Sequence, residues 1–327
     1  MNPNEDQFDI AGQPLIILTG PTAVGKTALS VALAKRIGGE IISADSMQVY
    51  RGMDIGSAKV TEEERQGVPH HLIDVLDPED EFNVVLFQKM AMKAIREILS
   101  RGRYPILVGG TGFYIQSVLY NIDFTENHED GVLRRNLEEL ANREGNEAVH
   151  KLLEEKDPAS AAAIHPNNLK RTIRALEYFN QTGEKISEHN ARERGKTSVW
   201  NSACFVLTDD RRCLYERIDR RVDKMISNGL VGEVRELKRK GCRRDMVSMQ
   251  GLGYKEILDY LDSRCTLEEA VYTVKRDSRH FAKRQLTWFR REKDVIWLDR
   301  TKLKTDEEIL NCIMEILRQK GIAGAGT

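Results

Sequence analysis

Lys26 and Thr27 close the octapeptide GPTAVGKT, Gly20 to Thr27. The run fits G-x-x-x-x-G-K-[ST], a loop whose backbone N–H groups cradle phosphates. It follows PLIILT, which reads as a strand, and precedes ALSVALAKRI, which reads as a helix. In that setting Gly20, Pro21, Thr22, Ala23, Val24 and Gly25 would wrap the anion, with the helix dipole favouring negative charge. Lys26 would neutralise phosphate charge, and the Thr27 hydroxyl would ligate Mg²⁺. A tight strand-to-helix turn would explain the glycines but not the Lys-Thr pair. Such a loop sees a phosphate chain and leaves open what is attached to it.

A second reactive group lies near. Asp45 ends the apolar run EIISAD, where ligand residues sit in open α/β sheets. It could hold a metal, act as a base, or cap a turn through its own backbone. A conventional nucleotide hydrolase also needs a strand ending in a metal-binding Asp. The run ILVGG ends in Gly-Gly-Thr, and HLIDVLD, which offers Asp74 and Asp77, is short. No N-K-x-D marks a guanine site. Farther on, Arg217 and Arg221 are four apart in ERIDRRVDKM, hence on one helix face, and suit phosphate oxygens. A solvated face with acidic partners explains them equally well.

The third candidate is a surface. Read as a helix, VKRDSRHFAKRQLTWFRREK sets Val274, Ser278, Ala282, Leu286 and Phe289 in a small and apolar stripe. Beside it run Arg276, Arg279, Lys283 and Arg290, with Thr287 completing the spacing. From Arg276 to Lys293 there are seven Lys/Arg against two acids. One side would pack and the other could follow phosphates. Trp288 is read as core, and the histidines, single apart from His70-His71, receive no metal role.

These groups need a frame. PLIILTG, EIISADS, HLIDVLD, YPILVGGTG, SACFVLTDD and VIWLD are short apolar runs between helical stretches, as in a parallel sheet with crossover helices. The fold class expected is α/β, a P-loop NTPase-like core with a parallel sheet and an inserted all-helical domain. Residues 1–120 and 201–327 would form the core with its C-terminal helices, and residues 121–200 the insertion, where helix-like runs such as NLKRTIRALEYFNQTG replace strands. The chain has 327 residues, 40% hydrophobic and 31% charged, with net charge −1. It is therefore no polycation, and any basic surface must be local. The first ten residues do not read as a signal peptide, no run of 18 apolar residues suggests a membrane span, and the tail GIAGAGT reads as frayed. Five scattered cysteines without C-x-x-C suggest neither zinc nor disulfides and fit a reducing, cytoplasmic setting.

GPTAVGKT, ADSMQVYRGMDIGSAK, HLIDVLDP and LVGGTGFY, followed by HPNNLKRTIRALE, ERIDRRVDKMI, GLGYKE and KRQLTWFR, resemble the tRNA dimethylallyltransferases. The resemblance runs in order from about Pro14 to Leu298, and DSMQVYRGMDIGSAK and KRQLTWFR are its most specific parts. It implies transfer of a dimethylallyl group from dimethylallyl diphosphate to N6 of the adenosine 3′ of the tRNA anticodon. The loop would then hold a diphosphate leaving group rather than a nucleoside triphosphate, with Mg²⁺ as cofactor. The absence of a C-terminal Cys/His cluster resembles bacterial members, and the chain is expected to act as a monomer on the anticodon stem-loop.

The same resemblance assigns residues. Asp45 would be the general base, and Ser46, Met47 and Gln48 would lie against the target base. Thr111 would contact the tRNA beside the reacting centre. Arg134, Lys170, Arg171 and Arg174 in the insertion, Gly253 and Tyr254 in GLGYKE, and Lys283, Arg284, Gln285 and Arg290 in KRQLTWFR would contact RNA. A base stacked in the anticodon loop must be turned out to reach such a site. Two other readings use the same phosphate loop: a small-molecule kinase, which needs an ATP base site, and a nucleotide-driven RNA-binding switch, which needs a metal-binding Asp on a second strand.

Overall fold

A computed structural model describes residues 9–124 and 131–323. The expectations for most of the first ten residues and for the end of the tail lie outside the described residues.

Six strands form one parallel sheet: β1 (Pro14–Thr19), β2 (Gly39–Ala44), β3 (His70–His71), β4 (Tyr104–Gly109), β5 (Asn201–Thr208) and β6 (Val295–Asp299). Their spatial order is β3-β2-β4-β1-β5-β6. Helices carry the crossovers: α1 (Lys26–Ile37), α2 (Glu62–Arg65), α3 (Val84–Ser100) and α4 (Gly112–Leu119) before the insertion. After β5 come α10 (Arg211–Ser227), α11 (Leu230–Arg239), α12 (Tyr254–Leu261) and α13 (Leu267–Phe289), with α14 (Asp306–Gln319) after β6.

The inner strands are continuously apolar because both faces are covered. Leu15 and Ile17 join one cluster with Ile42, Leu107 and Val206. Ile16 and Leu18 point the other way, into a cluster with Ile41, Ile106 and Phe205. All four β1 side chains are fully buried, each worth about 1.5–3 kcal/mol of transfer free energy. Register brings the carboxyl ends level: Thr19 is opposite Gly109, and Gly109 opposite Ala44. The phosphate loop, Asp45 and the Gly110-Thr111 turn therefore start from one edge of the sheet.

HLIDVLD departs from expectation. Only His70 and His71 pair with β2, and a lone bridge joins Tyr50 to Leu76. Leu72 and Asp74 take positive φ, 63° and 56°, which ends the extended chain.

The chain divides into two units, residues 1–121 with 198–327, and residues 122–197. The second is helical: α5 (Gly131–Glu144), α6 (Asn146–Lys156), α7 (Pro158–Ala163), α8 (Leu169–Thr182) and α9 (Ile186–Gly195). It has its own core, built from Leu137, Val149, Leu153, Ile173 and Leu176. Among the described residues no helix is long and apolar enough to cross a membrane.

Candidate active site

The phosphate loop begins where β1 passes close to β5. A side chain at Gly20 would place its Cβ 2.5 Å from the Leu207 carbonyl oxygen, so only glycine fits. Gly25 precedes α1 in the left-handed region (φ 94°) and offers no side-chain cap. The first turn of α1 also holds no acidic residue. By contrast, α13 and α14 open on Thr-x-x-Glu capping boxes, Thr266 with Glu269 and Thr305 with Glu308. The α1 terminus therefore presents N–H groups and positive dipole without an internal anion.

Lys26 bends over this loop. Its Nζ donates to the carbonyl oxygens of Gly20, at 2.9 Å, and Pro21, at 2.8 Å. Burial first, and the Arg221 charge second, lower its pKa to about 7, with Asp45 opposing both. Arg221 on α10 is itself held below its ordinary value by burial, against the pull of Asp45 and Glu64. It reaches the loop through Thr22 Oγ1, at 3.4 Å. Two cations and one carboxylate are thus electrostatically coupled here. Arg217, on the same helix, forms an ion pair with Asp209 just past β5. The pairing assigns Arg217 a structural partner and leaves Arg221 at the loop.

Asp45 follows β2 and turns the chain with one oxygen. Its Oδ1 accepts from the Met47 amide at 2.8 Å and the Gln48 amide at 3.4 Å. Oδ2 makes no hydrogen bond among the described residues. Gln48 is committed to the scaffold: its Oε1 accepts from Ser43 and its Nε2 donates to the Ala58 carbonyl. Met47 leans on Gly251, where a Cβ would come within 2.5 Å of its sulfur. Ser46 is half-buried beside them.

Beyond this turn the buried Lys59 ammonium and two exposed carboxylates hold the segment from Tyr50 to Lys59. Lys59, 5% exposed, donates to Asp54, Asp74 and the Tyr50 carbonyl. Asp77 pairs with Arg51. Neither Asp74 nor Asp77 is placed as a metal ligand, and no cluster of three metal-binding side chains occurs among the described residues. Glu233 on α11 accepts the amides of Asp54, Ile55 and Gly56. Tyr254, expected at the RNA surface, is instead fully buried and donates to Glu233 at 2.8 Å. Gly253 starts α12 at a φ of 95°. These partners were not legible because they come from four separated segments.

Thr111 follows β4, and its amide donates to the Ala44 carbonyl at 3.4 Å. A Cβ at Gly109 would come within 2.2 Å of that oxygen. Gln285, expected on the RNA surface, is 6% exposed and also reaches this edge. Its Oε1 accepts from the Thr22 amide and its Nε2 donates to the Gly110 carbonyl, both at 2.9 Å. Helical spacing explains its inward aim, since Ser278, Ala282, Gln285 and Phe289 share the buried face of α13.

The outer face of α13 divides in two. Arg276 pairs with Asp277 and Arg279 with Asp219. Lys283, Arg284, Arg290 and Arg291 are exposed and form no ion pair among the described residues. His280, Lys283, Arg284, Thr287, Trp288 and Arg291 line an open groove of about 460 Å³. Trp288 is therefore not simply core. One edge packs where Gly112 lacks a side chain, and Phe113 meets it edge-on at 6.3 Å. His280 and Arg291 were missed, although the i, i+3, i+4 rhythm from His280 carries them. In the insertion, Lys170 and Arg171 are exposed on α8 and Arg174 is half-buried. Arg134 is bound bidentately to buried Glu177, at 2.9 and 2.7 Å, so it braces that unit.

Comparison with known proteins adds identity to this geometry. The family described as IPP transferase matches residues 48–292, and Isopentenyl transferase matches residues 13–77. A tRNA dimethylallyltransferase of Lachnoclostridium phytofermentans is 62% identical over 310 residues, 95% of this chain and 99% of the relative. One from Bacillus velezensis is 52% identical, covering 92% and 96%. The crystal structure of tRNA isopentenylpyrophosphate transferase from Bacillus halodurans matches with TM-score 0.71 at 49% identity, over 94% of this chain and 98% of that one. A eukaryotic dimethylallyltransferase acting on tRNA matches with TM-score 0.81 at 28% identity, over 97% and 81%. The chain belongs to the IPP transferase family, in its bacterial tRNA dimethylallyltransferase branch.

Proposed function

We propose that the chain transfers a dimethylallyl group from dimethylallyl diphosphate to N6 of the adenosine 3′ of the anticodon in tRNA. The observation that carries this reading is the phosphate loop after β1 and Asp45 after β2 starting from one edge of the sheet, where Asp45 Oδ2 makes no hydrogen bond among the described residues. The N6 lone pair is delocalised into the ring, so attack on the allylic carbon places positive charge on nitrogen. As the N6–carbon bond forms, the carbon–oxygen bond to diphosphate breaks. The N6 proton passes to Asp45, assistance typically worth about 10²–10⁴-fold. The departing diphosphate meets Lys26, Arg221 and the uncapped amides of α1, donors fixed before the charge develops.

The residues at the loop fit Mg²⁺ arriving with the substrate. Thr27 is exposed in the first turn of α1 and offers one hard oxygen. Mg²⁺ commonly takes few protein ligands and completes its shell with phosphate oxygens and water. Thr27 would hold the ion, which would supply charge neutralisation on the leaving diphosphate.

Lys170 and Arg171 in one unit, and Lys283, Arg284 and Arg290 in the other, would follow RNA phosphates. The commitment of Asp74 and Asp77 to Lys59 and Arg51 counts against a nucleotide-driven switch, which needs a metal-binding strand Asp. The test supplies purified protein with unmodified tRNA, Mg²⁺ and radiolabelled dimethylallyl diphosphate, and omits every nucleoside triphosphate. Label should enter the RNA. Label that enters only after ATP is added would overturn the reading.

A further inference from the structure

Gln285 lies in a basic stretch of the chain, yet its amide points into the protein and touches both halves of the candidate site. Its Oε1 accepts the N–H of Thr22 in the phosphate loop. Its Nε2 donates to the carbonyl of Gly110, in the turn after β4. The contact is tight: a Cβ at Gly110 would come within 2.1 Å of that nitrogen. Both polar atoms of the amide are used, with donor and acceptor in opposite directions. Beside it on the same helix are exposed Lys283, Arg284 and Thr287.

We infer that Gln285 is a positioning residue which fixes the phosphate loop for the allylic diphosphate and ties that loop to the RNA-facing helix. The inference rests on the proposed function of the loop. The Thr22 amide is one of the loop's own donors. Gln285 holds it pointing at α13, so that the amides from Val24 onward and the Lys26 ammonium are left for the diphosphate. The same side chain anchors the Gly110-Thr111 turn, whose Thr111 amide donates to the Ala44 carbonyl, directly before Asp45. One amide thus sets the spacing between the leaving-group side and the base side. A displacement of about 1 Å at such a point can cost roughly 10²-fold in rate.

The chemistry of the amide gives a test that folding alone would not mimic. In Gln285→Glu the acceptor towards Thr22 is kept. The second oxygen faces the Gly110 carbonyl and can bond only when it carries the proton. Steady-state KM for dimethylallyl diphosphate and equilibrium Kd for tRNA should be measured for wild type, Gln285→Glu, Gln285→Ala and Lys26→Ala. Gln285→Ala should raise the diphosphate KM by about tenfold, the effect of losing one or two neutral hydrogen bonds. Its tRNA Kd should stay within about twofold. Gln285→Glu should share the defect at about pH 8 and recover towards wild type at about pH 6, judged as the ratio to wild type at each pH. A raised tRNA Kd with unchanged diphosphate KM would overturn the inference and make Gln285 an RNA-contacting residue. So would a Gln285→Glu defect that does not vary with pH. If Lys26→Ala is damaged while both Gln285 variants behave normally, the positioning role alone fails. If Lys26→Ala is also normal, the loop's ligand has been misread and both readings fail.

Discussion

The Oδ1 oxygen of Asp45 accepts the backbone amide of Met47 at 2.8 Å, so one half of this carboxylate builds the turn that aims the other half. Turn cap and proton acceptor are therefore roles of two oxygens on one side chain. Substitution can separate them. Asp45→Asn keeps an oxygen for the Met47 amide but cannot accept a proton from N6. It should lower single-turnover rates by about 10²-fold or more, with little change in melting temperature. Asp45→Ala should show the same rate loss and lose about 1 kcal/mol of stability with the cap. Near-normal single-turnover rates in Asp45→Asn would remove the carboxylate from the chemistry.

Lys26 gives a pH prediction. In the free protein its pKa is lowered to about 7, chiefly by burial. A bound diphosphate favours the charged form, so the pKa rises in the complex. Below about pH 7 both states carry the proton and affinity is flat. Above about pH 7 binding must take up a proton, and affinity falls by up to about tenfold per pH unit. Calorimetry in buffers of different ionisation enthalpy would detect this uptake at about pH 8. Binding without proton exchange there would show that Lys26 is already charged in the free protein, and would remove the pH dependence.

The divided face of α13 predicts unequal effects from similar charges. Neutralising Lys283, Arg284 and Arg290 should weaken tRNA binding and reduce the log–log salt slope by about 0.7–0.9 for each RNA phosphate left without its cation. Arg279 is paired with Asp219, so Arg279→Ala should change stability more than slope. Filter binding across a salt series measures both. An unchanged slope in the triple variant would return that face to ordinary solvated surface.

Tyr254 is a test of buried against exposed. Tyr254→Phe removes the hydroxyl that donates to Glu233 and accepts from the Ser57 amide at 3.1 Å. It should cost about 1–3 kcal/mol in urea unfolding, as buried partners lose a bond. Affinity for tRNA should change less than about twofold. Weakened RNA binding at full stability would place Tyr254 at the RNA after all.

Much of the frame was legible because a doubly covered strand needs an unbroken apolar run, and PLIILT and YPILVG have one. HLIDVLD misled because its apolar letters fall where Leu72 and Asp74 turn left-handed, a backbone choice that composition does not display. At the site, the phosphate loop and Asp45 could be found from their places after strands. Gln285 could not be placed by chemistry alone, since an amide among arginines looks solvated. The spacing 278, 282, 285, 289 does carry its inward aim. Lys59 and Glu233 were invisible for another reason: their partners converge only after the sheet and helices have packed.

The uncapped start of α1 bears on how the molecule behaves between turnovers. Several α-helices of its core unit begin on a side chain that satisfies the first amides, as Asn83, Thr266 and Thr305 do. Helix α1, which follows β1, lacks one, so under the proposed function its opening turn would be completed by substrate rather than by sequence. Without ligand, that turn should be the least protected part of an otherwise buried helix, exchanging its amide hydrogens faster than the first turns of α3, α13 and α14. Diphosphate at about 100 times its Kd would add about 2.7 kcal/mol to the folded state and slow that exchange. A resting enzyme would then be slightly unfinished at the place where its chemistry happens, and each substrate would complete the fold for one turnover.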